Sequence, residues 1–183
     1  QKENSVLALK ALELLEELGY PTSLKERKEG LLEASWKGRF TVIHKDPLLI
    51  VDGAHNPGAA DMMAETIRHY FMRKNEGQKL IYIMGMFRDK DCRSVLSKTL
   101  PFAQRVFTIQ TPDNERALPS GELADMAREF HPDVTACDHI SDAVALAFQA
   151  AGPKDVILAF GSLSFIGVLT EAVKQYKTTE RGN

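Results

Sequence analysis

Asp52-Gly53-Ala54-His55-Asn56-Pro57 places a carboxylate, an imidazole and an amide directly after the apolar run Leu48-Leu49-Ile50-Val51. Gly53 and Ala54 leave room for close backbone approach. Asn56 suits a helix N-cap and Pro57 the first helical turn. The run therefore delivers polar groups to the start of a helix, where free N–H groups favour anions. A plainer reading stands beside this one: Asp52 and Asn56 cap the helix and His55 bonds locally. Spacing alone does not choose between them.

Two further runs have the same character. In Gly85-Met86-Phe87-Arg88-Asp89-Lys90-Asp91 a lysine lies between two acids at the start of a helix. The acids suit the helix dipole and the lysine does not. Lys90 is then either a carboxylate holder or part of a solvated charge cluster. In Gly161-Ser162-Leu163-Ser164 the serines can cap the last helix, and the exposed N–H groups can hold a carboxylate or phosphate. Upstream, Arg39 in Trp36-Lys37-Gly38-Arg39-Phe40 can fork onto phosphate oxygens or pair with Asp52. Trp36 reads as a packing residue. His44, His69, His131 and His139 show no ligand spacing. Neither GxxxxGK[ST] nor GxGxxG occurs.

The elements that must position these runs follow from hydrophobic periodicity. Helices are predicted over 4–18, 24–34, 57–73, 91–100, 120–130, 140–151 and 165–176. Strands are predicted over 39–44, 48–51, 80–84, 105–109, 134–137 and 156–160. Short apolar strands alternating with amphipathic helices imply an α/β fold with a Rossmann-like, mostly parallel six-stranded sheet flanked by helices, preceded by a helical appendage. In such sheets ligands bind beyond the carboxyl ends of the strands, where all three runs lie. The expected divisions are a helical segment 1–35, a main domain 36–177 and a frayed tail 178–183.

The 183 residues suffice for one domain and an appendage, with 44% apolar and 26% charged residues. A net charge of -2 argues against a general nucleic-acid binder. An anionic substrate would be met by a few placed cations. Cys92 and Cys137 form no CxxC pair and read as buried thiols in a reducing compartment. No run is long enough to span a membrane and no signal peptide is evident, so a cytoplasmic location is expected. Gln1 is not an initiator, and the chain is expected to begin in mid-protein.

Taken in order, Trp36-x-Gly38-Arg39-Phe40, Asp52-Gly-Ala-His-Asn-Pro57, Gly85-Met-x-x-Asp89-Lys90-Asp91 and Gly161-Ser162 resemble the carboxy-terminal domain of folylpolyglutamate synthases, relatives of the Mur ligases. The opening Gln1-x-x-Asn4 and its Ala/Leu-rich helix are similar to the end of that family's central ATPase domain. The resemblance implies the Mur ligase C-terminal fold. It also implies a reaction in which ATP phosphorylates the terminal γ-carboxyl of a folate and L-glutamate attacks the acyl phosphate.

By resemblance Asn4 would hold adenine, Arg39 phosphate oxygens and Asp52 the ribose or nearby nucleotide groups, with His55 in the same ATP motif. Lys90 and Ser162 would hold the incoming glutamate's carboxylate, with Asn56 beside them. No catalytic residue and no metal ligand is assigned. Mg2+ would be bound in an upstream domain carrying the phosphate loop, and the chain alone is expected to be inactive. A monomer that engages neither nucleic acid nor membrane is expected. The alternatives are a Mur-type amino-acid ligase domain and a non-catalytic nucleotide or amino-acid binding module.

Overall fold

The computed structural model of the chain describes residues 2–34, 36, 38–72 and 77–180. Gln1, Lys37, Arg73 and the tail 181–183, which figure in the sequence reading, lie outside them. The chain divides into two compact units, 1–37 and 38–183. The first holds α1 (Lys2–Glu17) and α2 (Leu24–Glu33). Ser23 and Glu26 form a reciprocal capping box at the start of α2. The side chain of Arg27 bonds Glu16 and Thr22, fastening α2 to the end of α1. Leu7, Leu14 and Leu18 on or beside α1 remain exposed.

The second unit is built on β1 (Thr41–Lys45), β2 (Leu48–Val51), β3 (Leu80–Met84), β4 (Arg105–Thr108), β5 (Val134–Ala136) and β6 (Val156–Phe160). They form one sheet in the order β1-β2-β6-β3-β4-β5. Only β1 runs antiparallel, to β2; every other pairing is parallel. Every residue of β3 and β6 is buried, as a parallel strand covered on both faces requires.

Side-chain alternation divides this core into two layers. Leu80, Tyr82 and Met84 point to the same side as Met63, Ile67, Leu96 and Leu123. These come from α3 (Pro57–Ile67), α4 (Cys92–Thr99) and α5 (Ser120–Arg128). Ile81, Ile83 and Ile157 point to the other side, to Val144, Leu169 and Val173. Those belong to α6 (Ile140–Ala150) and α7 (Ile166–Glu180).

The mostly parallel six-stranded sheet is as predicted, and four local expectations are corrected. The first strand begins at Thr41 rather than Arg39, because Phe40 takes a left-handed backbone angle, φ +46°, and turns the chain. The third helix leaves α-geometry after Ile67 and ends in a wider π-turn, Arg68–Met72, which places the ring of Phe71 6.3 Å from that of Phe40. The last helix continues past Tyr176 to Glu180, since no Gly or Pro intervenes and Thr178 donates to the Lys174 carbonyl. Trp36 is 73% exposed rather than packed; it lies in the irregular segment after α2.

Among the described residues no helix is long and apolar enough to cross a membrane. Cys92 and Cys137 are both buried free thiols. Burial and the acids Asp142 and Asp138 push the Cys137 thiol up to about 11.

The hydroxyl of Tyr82 is buried without a hydrogen-bond partner among the described residues, and its ring stands edge-on to Phe160 at 5.2 Å. An unpaired buried hydroxyl costs stability. Tyr82→Phe is therefore expected to raise the denaturant midpoint, by roughly 1 kcal/mol of unfolding free energy. A destabilised Tyr82→Phe in equilibrium denaturation would show that the hydroxyl has a partner in solution.

Candidate functional site

The loops after β2 and β3 lead to helices on one face of the sheet, whereas the loop after β6 leads to α7 on the other. β6 lies between β2 and β3, so the chain diverges on both sides of its carboxyl end. This is the topological switch point at which open α/β sheets bind ligands. All three chemistry-bearing loops of the sequence border it.

Asp52 follows β2 at this switch point. Its backbone N–H extends the ladder to the Ala159 carbonyl at 2.9 Å. Its Oδ2 accepts the Phe40 N–H at 2.8 Å and its Oδ1 the Ala54 N–H at 2.7 Å. Gly53 N–H donates to the Gly38 carbonyl at 2.7 Å. The carboxylate thus holds the left-handed turn at Phe40 against the end of β2. Burial pushes the Asp52 carboxyl above its ordinary range, opposed by the two N–H donors and the Arg39 charge. Arg39 itself is exposed, and no ion pair joins it to Asp52. The carboxylate oxygens face backbone donors instead.

His55 lies beside this clasp. Its Nδ1 is 2.7 Å from the Gly53 carbonyl, an acceptor only, so Nδ1 carries the hydrogen. The neutral ring then offers Nε2 as an acceptor. Asn56 is the N-cap of α3: its Oδ1 accepts the Ala59 N–H at 2.9 Å, and Pro57 follows in the first turn. The capping reading of Asn56 is therefore correct, and the cap uses its amide oxygen.

The third loop reaches the same corner. Leu163 packs so closely that a Cβ on Gly53 or Gly38 would lie 2.5 or 2.6 Å from its Cδ2. Gly161 has φ +112°, and a Cβ there would lie 2.4 Å from the Gly85 carbonyl oxygen. No other residue type fits both conditions. Ser162 is buried, and its Oγ accepts the Ser164 N–H at 3.1 Å, capping a short 3-10 turn, Leu163–Phe165.

The second loop, 85–91, is joined to Phe160 by Gly85 N–H at 3.2 Å. Asp91 caps α4 through the Ser94 N–H at 3.1 Å. Its other neighbour is the segment 109–118, which the sequence reading passed over. Leu118 N–H donates to the Met86 carbonyl at 2.9 Å and Arg88 N–H to that of Arg116 at 2.8 Å. Arg116 then forks onto Asp89, Nε to Oδ1 at 3.2 Å and Nη2 to Oδ2 at 2.6 Å, with its guanidinium 5.0 Å from the Phe87 ring centre. Lys90 Nζ is 3.6 Å from the same carboxylate. Hydrogen bonding from Arg116 holds the Asp89 carboxyl below its ordinary range. The one available signal for Arg116 was its place in the turn that Asn114 opens, closed by Ala117 N–H to the Asn114 carbonyl at 2.9 Å.

The structure thus joins Arg39's turn, Asp52, His55 and the Ser162 loop in one corner, and the Lys90 loop to that corner through Gly85 and Gly161. No hydrogen bond or ion pair links Lys90 with Ser162 or Asn56. Asn4 lies on α1 of the first unit and is exposed. Among the described residues no three His, Cys, Asp or Glu side chains cluster as a metal site would require.

A family model described as the Mur ligase glutamate ligase domain matches residues 38–163. The chain belongs to this family. A probable bifunctional folylpolyglutamate synthase/dihydropteroate synthase of Halobacterium salinarum is 33% identical over 135 residues, 73% of this chain and 16% of that protein. The dihydrofolate synthase/folylpolyglutamate synthase of Haemophilus influenzae is 28% identical over 173 residues, 85% of this chain and 39% of that protein. A solved bifunctional folylpolyglutamate synthase/dihydrofolate synthase with Mn, AMPPNP and L-glutamate bound superposes with a TM-score of 0.70 at 27% identity, over 87% of this chain and 38% of that one. This glutamate ligase domain therefore spans well under half the length of these relatives.

Two predictions follow from the geometry. The Asp52 carboxyl is expected to titrate above, and Asp89 below, the ordinary aspartate range in a carbon-detected NMR titration. A raised native pKa means that the folded state takes up the proton first, so Asp52's share of stability falls as pH rises through that interval. The reverse order of the two groups would refute the assignment. Gly161→Ala is expected to destabilise the domain by at least about 1–3 kcal/mol, through backbone strain and the Gly85 clash, in denaturant unfolding.

Proposed function

We propose that this domain is the carboxy-terminal part of an ATP-dependent folylpolyglutamate synthase, acting in the cytoplasm as a monomer. The observation that carries the reading is the meeting of the Asp52, Lys90 and Ser162 loops around the end of β6, in a domain family whose relative holds a nucleotide and L-glutamate. In this reading ATP phosphorylates the terminal γ-carboxyl of a folate, the amine of L-glutamate attacks the acyl phosphate, and phosphate leaves.

The residues have roles suited to that chemistry. Arg39, exposed at the rim, offers a planar fork to phosphate oxygens as charge accumulates there. Each Asp52 oxygen accepts one backbone N–H and keeps a lone pair for a ribose hydroxyl. His55 presents Nε2 as an acceptor to the nucleotide, and Asn4 meets adenine. Lys90 holds the carboxylate of the incoming glutamate, with Ser162 donating its hydroxyl hydrogen and Asn56 alongside. A fixed carboxylate orients the amine, and orientation supplies a large share of catalysis. The phosphate loop and the Mg2+ ligands belong to an upstream ATPase domain, so the 183-residue chain alone would make no product.

The test is glutamate addition to tetrahydrofolate by the complete synthase. Arg39→Ala should depress kcat/KM for ATP, and Lys90→Ala should raise the KM for glutamate, each by roughly 10- to 100-fold, the effect of one charge-assisted hydrogen bond. Wild-type kinetics in both variants would sink the assignments. Activity on a nucleotide-linked peptide in place of folate would establish the Mur-type alternative, and product from the 183-residue chain alone would refute the need for an upstream domain.

A further inference from the structure

Asp89 stands between two cations that make unequal contacts with it. Arg116 takes both oxygens through its fork, at 3.2 and 2.6 Å, while Lys90 stays at 3.6 Å from one of them. The three groups carry one positive charge in excess. The Lys90 side chain is 29% exposed against 57% for Arg116, so Lys90 is the more enclosed of the two cations. Arg116 is itself fixed from behind: its guanidinium lies on the Phe87 ring, and its carbonyl accepts the Arg88 N–H at 2.8 Å. Arg88 is occupied separately, forking onto Glu122 at 2.8 and 3.1 Å. It does not compete for Asp89.

We infer that Arg116 is a positioning residue that keeps Asp89 from neutralising Lys90, leaving the Lys90 ammonium available to a substrate carboxylate. A carboxylate next to a lysine in the same loop would ordinarily close on it as a full ion pair. A substrate carboxylate would then have to displace it. The bidentate guanidinium satisfies the near lone pairs of both Asp89 oxygens in a plane that an ammonium cannot match. Lys90 is left tethered loosely, near enough to be oriented and far enough to turn to another anion. The inference rests on the reading of Lys90 as the glutamate-carboxylate holder.

The experiment is a double-mutant cycle in the complete synthase, read as the KM for L-glutamate. Arg116→Gln should raise that KM about three- to fivefold, the range of an exposed ion pair, with kcat unchanged within about twofold. In the Asp89→Asn background, removing Arg116 should change the KM by less than about 1.5-fold, because no carboxylate is left to capture Lys90. Arg116→Lys, which keeps the charge and loses the fork, should resemble Arg116→Gln. An equal cost of Arg116→Gln in both backgrounds would overturn the inference, since Arg116 would then act on the substrate itself. Wild-type KM in Arg116→Lys would likewise overturn it in favour of charge alone. Lys90→Ala separates the two readings: an unchanged glutamate KM there removes the glutamate assignment, whereas a large rise with no Arg116 effect removes only the positioning role.

Discussion

The carbonyl oxygen of Gly85 and the α-carbon of Gly161 approach so closely that a single methyl group would not fit between them. Gly161 also turns the chain with a backbone angle that other residues avoid. Through this contact the loop after β3 and the loop after β6 meet before they part to opposite faces. Leu163, two residues on, fills the space that Gly38 and Gly53 leave by lacking side chains. Position at the switch strand, and not any one side chain, is what brings the polar groups of three separate strand ends together.

Asp52 fastens the chain at its strand end. Its carboxylate secures a strained turn at Phe40, and the packing of Phe40 near Phe71 ties the turn to the end of the third helix. Asp155 does comparable work at the opposite end of the sheet, accepting the N–H groups of Lys79 and Gly152 at 2.9 and 2.8 Å. Asp155 stands at the amino ends of β3 and β6, away from the three polar loops. In this domain an aspartate that accepts two backbone donors thus fastens each end of the sheet. What sets Asp52 apart is the end of the sheet on which it lies.

Much of this was legible in the sequence because it depends on local pattern. Alternating apolar runs gave all six strands, and Asn56-Pro57 and Asp91 marked helix starts that the structure contains. The unread parts depend on partners distant along the chain. Nothing in Asp52 announces that its oxygens meet the N–H of Phe40, twelve residues earlier, so pairing with Arg39 stayed open. Arg116 lies 27 residues from Asp89, in a segment whose turn residues look like an ordinary connection. The π-turn after Ile67 preserves the apolar pattern of an α-helix and differs only in its hydrogen bonding, to which periodicity is blind. The residues of the proposed glutamate and ATP sites were legible as candidates through family likeness, while their ligands lie beyond what loop chemistry alone can name.

The segment 109–118 is stitched by backbone hydrogen bonds to the loop that carries Lys90, and not to the turn that carries Arg39. Substitutions in it can reshape the surroundings of Lys90 while the Asp52 clasp stays intact. Variation confined to this peripheral strip can thus alter the Lys90 loop while the turn held by Asp52 keeps its own two backbone bonds.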